Sequence, residues 1–264
     1  MIRFAAALAA STLMAGAAFA AAAPRPAADT GEAQFRSLYK ELVETNTTFS
    51  AGDCTLAANR MAARLKAAGF ADSQLTLFTP PDHPKDGGLV AVYPGKDPKA
   101  KAILLLAHID VVEAKREDWE RDPFTLVEEN GYFYARGSSD DKAQAAIWTD
   151  LLIRFKREGY QGRRPIKLAL TCGEEGGGQV NGARWLAENH KDWVDAAFGL
   201  NEGAGGDLTA DGKRVAHNIQ AGEKTSVGFR LEVTNPGGHS SRPVPDNAIY
   251  HLVRAVDAVS RYEF

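Results

Sequence analysis

Cysteine, unbalanced charge and the familiar nucleophile and phosphate motifs are scarce in this chain, and each scarcity removes a class of protein. Two cysteines in 264 residues cannot form a disulfide framework. Cys54 and Cys172 stand far apart, and Cys172 closes an apolar strand, where a buried free thiol is expected. The formal net charge is only −3, so nothing in the composition points to nucleic acid or an acidic membrane. There is no Gly-x-Ser-x-Gly turn, no His-Glu-x-x-His helix, no Cys-x-x-Cys and no Gly-Lys-Ser/Thr loop.

What is present is ordinary globular material, 44% hydrophobic and 25% charged, enough for one well-filled core. The chain opens like a secretory signal peptide. Met1-Ile2-Arg3 supplies the positive start, residues 4–19 are mostly Ala and Leu, and Ala18-Phe19-Ala20 offers small residues for cleavage after residue 20. The run is too short, too alanine-rich and too interrupted by Ser11-Thr12 for a membrane anchor, so an exported, periplasmic or secreted protein is expected. Losing residues 1–20 removes Arg3 alone and takes the charge from −3 to −4. Residues 21–30, AAAPRPAADT, read as a disordered linker.

Amphipathic helices are expected over residues 32–43, with Phe35, Leu38, Tyr39 and Leu42 on one face, and over 54–68, with Leu56, Met61 and Leu65 inward and Gly69 past the end. Strands follow at 74–78 and 89–93. The most informative stretch is 103–112, ILLLAHIDVV, where five apolar residues stop on His108 and Asp110. That pattern reads as a buried strand of an α/β sheet carrying polar side chains at its carboxyl end, where such sheets place their chemistry. Alternation turns His108 and Asp110 the same way, so the carboxylate could hold one imidazole nitrogen while the other binds a metal. A histidine buried for packing is the competing reading of this stretch alone.

A hairpin turning at Glu129-Asn130-Gly131 leads to ARGSSDDKAQAA, which sets Asp140-Asp141 at the start of a helix over 142–156. Capping accounts for one aspartate, not two. The strand 166–171 ends in CGEEGGG before a helix over 180–189, and the strand 198–201 ends on Glu202. Glu174 and Glu175 would repel an anion from the adjacent triple glycine, so the glycines suggest close backbone approach to a cation site. From Arg214 the pattern changes: strands are expected at 215–220 and 226–234, then NPGGHSSRP and a helix over 246–260. The fold class is thus α/β, a mixed, mostly parallel sheet flanked by helices over 31–213, followed by the start of a second, α+β domain over 214–264.

His108, Asp140, Glu175 and Glu202 form a set of imidazole and oxygen donors suited to two divalent ions, zinc foremost, with cobalt or manganese acceptable. Paired ions about 3.5–4 Å apart can serve both an attacking hydroxide and the substrate oxygen. One of Glu174 and Glu175 then binds metal and the other is free to move a proton.

Together, AHIDVV, the DPF loop, ARGSSDDK, GEEGGG, LNEG and NPGGHSSRP resemble the dinuclear zinc exopeptidase family that includes carboxypeptidase G, aminoacylase and succinyl-diaminopimelate desuccinylase. The resemblance covers the chain from about Gly31. It implies hydrolysis of peptide or N-acyl amino-acid amide bonds with two divalent metal ions. By it His108 binds the first metal, Asp140 bridges, Glu174 is the general base, Glu175 binds the second metal, Glu202 completes the first and Asp110 orients His108. His239 corresponds to a lid histidine that a homodimer lends to its partner's site to hold the oxyanion. The family's second metal takes a further histidine beyond the lid, with no counterpart here. His83, His190, His217 and His251 fit no motif. The resemblance therefore implies an amino-terminal portion of a longer enzyme, with a truncated, non-catalytic metal- or ligand-binding remnant as the alternative.

Overall fold

The computed structural model describes residues 31–97, 99–222, 227–239, 241–242 and 244–263. The signal peptide and linker expected over 1–30 lie outside the described residues. The chain divides into two compact units, one ending at Glu202 and the other spanning Gly203–Phe264.

In the first unit the strands are β1 (Leu75–Phe78), β2 (Gly88–Tyr93), β3 (Ile103–His108), the hairpin pair β4 (Val127–Glu129) and β5 (Tyr132–Tyr134), β6 (Ile166–Thr171) and β7 (Phe198–Leu200). The helices are α1 (Glu32–Val43), α2 (Cys54–Ala67), α3 (Lys142–Glu158), α4 (Gly182–Asn189) and the single turn α5 (Lys191–Val194). The main sheet has the order β1-β2-β6-β3-β7. It is mixed: β1-β2 and β2-β6 are antiparallel, whereas β6-β3 and β3-β7 are parallel.

Side-chain alternation sorts the sheet into two faces. Leu89, Ala91, Leu105, Ala107, Leu168 and Leu170 pack with α1, α2 and α3, while Val90, Ala169, Leu104 and Leu106 pack with Leu186, Trp185 and Trp193 of α4 and α5. The register enforces this, pairing Leu89 with Leu170, Leu105 with Leu168 and Val90 with Ala169. On α2 the buried stripe is Cys54, Ala57, Ala58, Met61 and Leu65, at helical spacing, and this turns the expected core residue Leu56 out to solvent. Between β4 and β5, Asn130 and Gly131 both take positive φ, 52° and 81°, as a tight two-residue hairpin requires.

Cys172 is not a free thiol: it is disulfide-bonded to Cys54, 118 residues away. The expectation failed because the bond is made between elements. Cys54 opens α2 and Cys172 follows β6, and the sheet sets their Cα atoms 6.1 Å apart.

The second unit contains the hairpin β8 (Gly205–Leu208) and β9 (Arg214–Asn218) and the helix α6 (Ala248–Ser260), capped by the Asn247 side chain. Among its described residues none is buried. The strand expected over 226–234 is not formed at 227–234, and Ser226 lies outside the described residues. An alternating sequence is not enough where no neighbouring strand supplies backbone partners.

Candidate metal centre

Parallel strands end at the same edge, and here that edge collects the acids. The pairing of His108 with Thr171 places the end of β3 beside the segment 172–175, and the pairing of Leu105 with Leu200 leads the chain after β7 toward His108. The amino end of α3 brings Asp140 and Asp141, joined by a cis peptide bond.

Six carboxylates surround the buried imidazole. His108 Nε2 lies 3.0 Å from Asp140 Oδ1, 3.4 Å from Glu202 Oε2 and 3.8 Å from Glu174 Oε2. Two donor sets share His108, one with Asp141 and Glu202 and the other with Asp140 and Glu175, and within each the ligand atoms lie within 4.8 Å of one another. Asp110, fully buried, sits behind them. Its backbone carbonyl is 3.1 Å and its Oδ1 3.4 Å from His108 Nδ1, and its Oδ2 accepts the Glu175 N–H at 3.0 Å. Oδ1 has no hydrogen bond of its own. Asp110 therefore addresses both the histidine and the backbone of Glu175.

The electrostatics show what this cluster wants. Burial disfavours a charge on His108, but the adjacent Asp110 carboxylate, with Glu202 and Asp141, outweighs it and lifts the imidazole to about 10. Asp141 is pushed up to about 7, chiefly by burial, with His108 opposing and Glu202 and Asp140 adding to the rise. Burial also raises Glu175 and Glu202, each helped by Asp140 and opposed by His108. A concentration of oxygen acceptors that resists its own negative charge, with an unsatisfied buried carboxylate oxygen behind it, fits divalent cations. The donors are imidazole and carboxylate, the set that zinc, cobalt and manganese accept.

His108, Asp110, Asp140, Glu174, Glu175 and Glu202 thus converge at one sheet edge. His239 belongs to the second unit, where its Nδ1 accepts from the Ser241 N–H. Asp141 joins the cluster as well. It occupies the N-cap of α3 but makes no capping hydrogen bond with its side chain, and the surplus aspartate was the available signal. Lys142 carried no such signal. It is wholly buried, donates from Nζ to the Thr45 carbonyl at 2.6 Å, and is pushed down to about 7 by burial, with Asp110 opposing. The triple glycine also reads differently in three dimensions. Gly177 and Gly178, at φ 75° and 111°, pack against the ring of Phe49, so the close backbone approach is to an aromatic side chain. Of the remaining histidines, His83 pairs with Asp86, His190 stacks on Trp193, His251 pairs with Asp246, and His217 lies in β9 opposite Gly206.

The chain resembles known proteins in sequence and in fold. The chain is 30% identical over 171 residues to Aminoacylase-1 from Mus musculus, covering 64% of this chain and 40% of that protein. It is 33% identical over 169 residues to the N-fatty-acyl-amino acid synthase/hydrolase PM20D1 from Homo sapiens, covering 63% and 34%. The chain thus spans about two fifths or less of these relatives. Its fold is similar to that of the di-peptidase Dug1p from Saccharomyces cerevisiae, with a TM-score of 0.53, 23% identity and coverage of 67% of this chain and 40% of that one. It is likewise similar to the M20 family metallo-carboxypeptidase Sso-CP2 from Sulfolobus solfataricus, with a TM-score of 0.55, 22% identity and coverage of 68% and 39%. The sequence pattern of Peptidase family M20/M25/M40 matches residues 104–262, more than half of the chain, and the chain belongs to that family.

Proposed function

We propose that the protein is a metal-dependent hydrolase of amide bonds in small peptides or N-acyl amino acids, and that this unit carries its metal-binding and proton-transfer residues. The observation that carries the reading is the convergence of carboxylates on His108 Nε2, with two donor sets sharing that one histidine. One imidazole nitrogen serves one ion, so His108 completes one set, and Asp140 stands where a carboxylate can be shared with a second. Asp140, Glu175 and Glu202 are the other ligands by this reading, and Asp110 fixes the orientation of the ring. Bound divalent ions would supply electrophilic activation of the carbonyl and an acidified water.

Glu174 belongs to neither donor set although its carboxylate lies 3.8 Å from His108 Nε2. It is therefore left to take a proton from the attacking water and return it to the departing nitrogen. Replacing Glu174→Gln in the full-length protein should lower kcat by about a hundredfold to ten-thousandfold while metal content stays unchanged. Near-normal turnover of dipeptides and N-acyl amino acids would refute this role. The names of the relatives, an aminoacylase and an N-fatty-acyl-amino acid synthase/hydrolase, favour N-acyl amino acids within the substrate class.

Export is part of the same proposal, supported by the composition of residues 1–20 and by the Cys54–Cys172 disulfide, a bond typical of oxidising compartments. A homodimer formed through the second unit, with His239 lent to the partner's site, is supported by apolar residues such as Val215, Ile219, Phe229 and Val253 that this unit leaves exposed. Mass spectrometry and light scattering of the mature protein should show loss of residues 1–20 and a mass of two chains. An intact amino terminus or a monomer would contradict the respective part.

A further inference from the structure

Beside the acid cluster lies a recess of quite different chemistry. It has a volume of about 370 Å³ and is walled by Phe49, Val111, Val112 and the backbone of Gly176 and Gly177, with Glu175 on its edge. Phe49 and Val112 are 54% and 40% exposed, apolar surface held open next to the acid cluster. The wall is built rather than accidental. Phe49 lies along the Gly177–Gly178 backbone so closely that a Cβ on Gly178 would come within 3.0 Å of its ring, and one on Gly177 within 3.3 Å of its Cβ. Glu113 Oε1 and Oε2 accept from the Ser50 N–H and Oγ at 2.8 Å each, which clasps the segment carrying Phe49 to the one carrying Val111 and Val112.

Two polar groups of the lining are already committed. Glu113 is occupied by Ser50, and the Gln179 amide is 3.2 Å from Cys172 Sγ. What remains for an occupant is apolar contact with Phe49, Val111 and Val112, beside the Glu175 carboxylate, which repels an anion. Because Glu175 belongs both to a donor set and to this lining, a group that enters the recess lies within a side chain's reach of the metal-binding atoms.

We propose that this recess is a specificity subsite that receives the uncharged, apolar side chain or short acyl chain flanking the scissile amide. The inference rests on the hydrolase reading above and adds to it the class of substrate. The volume is at the small end for ligand pockets, roughly 300–1,000 Å³, and fits one such group rather than a whole peptide. Phe49 and Val112 are the residues that choose.

The test uses the zinc-loaded full-length protein and a panel of X–Ala and Ala–X dipeptides with matching N-acetyl-X and N-acyl-alanines, X being Ala, Leu, Phe, Asp or Lys. Wild type should favour Leu and Phe over Asp and Lys in at least one series. Phe49→Ala should reduce that ratio of kcat/KM by about ten- to a hundredfold, and Val112→Lys should shift preference toward Asp, a gain that misfolding cannot produce. Ratios are read within each variant, so a change in total activity does not enter. Metal-dependent hydrolysis whose apolar preference survives both substitutions, or a wild type that prefers charged X, overturns the subsite and leaves the hydrolase reading standing. Failure of wild type to bind zinc and to cleave any member overturns both.

Discussion

At the scale of single residues, His108 is defined by what lies on each side of its ring. Nδ1 faces the carbonyl and carboxylate of Asp110, and Nε2 faces the carboxylates of Asp140, Glu174 and Glu202. The same groups that suit a cation also hold protons tightly. His108 stands at about 10, Asp141 at about 7, and Glu175 and Glu202 are raised. A raised pKa means the protonated form persists to higher pH, so a metal must displace protons, and they compete better as pH falls. Zinc titration by calorimetry near neutral pH, in buffers of different ionisation enthalpy, should therefore show net proton release, with affinity falling from pH 8 to pH 5. Proton-neutral binding of constant affinity would contradict this account of the donors. Asp110, Asp140 and Glu202 were legible as residues because each follows an apolar strand or opens a helix. Asp141 was half legible, as an aspartate beyond what capping uses. Lys142 was not, because nothing local announces that a lysine at a helix start will point inward to the Thr45 carbonyl.

At the scale of elements, the site is a consequence of register. A one-residue slip of β3 against β6 would turn His108 away from the acids and exchange Leu105 for Leu104 on the α1-α2-α3 face. The Cys54–Cys172 bond ties the start of α2 to the residue following β6, two positions before Glu174. Replacing both cysteines by alanine should lower unfolding stability by about 2–5 kcal/mol, measured by urea denaturation of the oxidised protein against the double variant. An unchanged midpoint would mean the bond constrains little. Apolar runs and helical periodicity made the strands and helices of the first unit readable, usually to within a residue or two. The disulfide was not readable, since its partners are 118 residues apart and meet only through the sheet. The segment 227–234 shows the converse, an alternating pattern that forms no strand because pairing is a property of two segments rather than one.

At the scale of the whole molecule, a first unit with a filled core and an acid-lined sheet edge is followed by a second whose described residues bury nothing. The first is a platform that stands on its own packing; the second presents apolar side chains that call for further protein surface. Whether the sheet edge holds a divalent ion through His108 is decided by anomalous diffraction at the zinc edge from crystals of the zinc-saturated protein. An anomalous peak is expected about 2.0–2.1 Å from His108 Nε2, ringed by carboxylates drawn from Asp140, Asp141, Glu175 and Glu202, and lost in His108→Ala. No peak at that edge in saturated crystals, or one that survives His108→Ala, would contradict it.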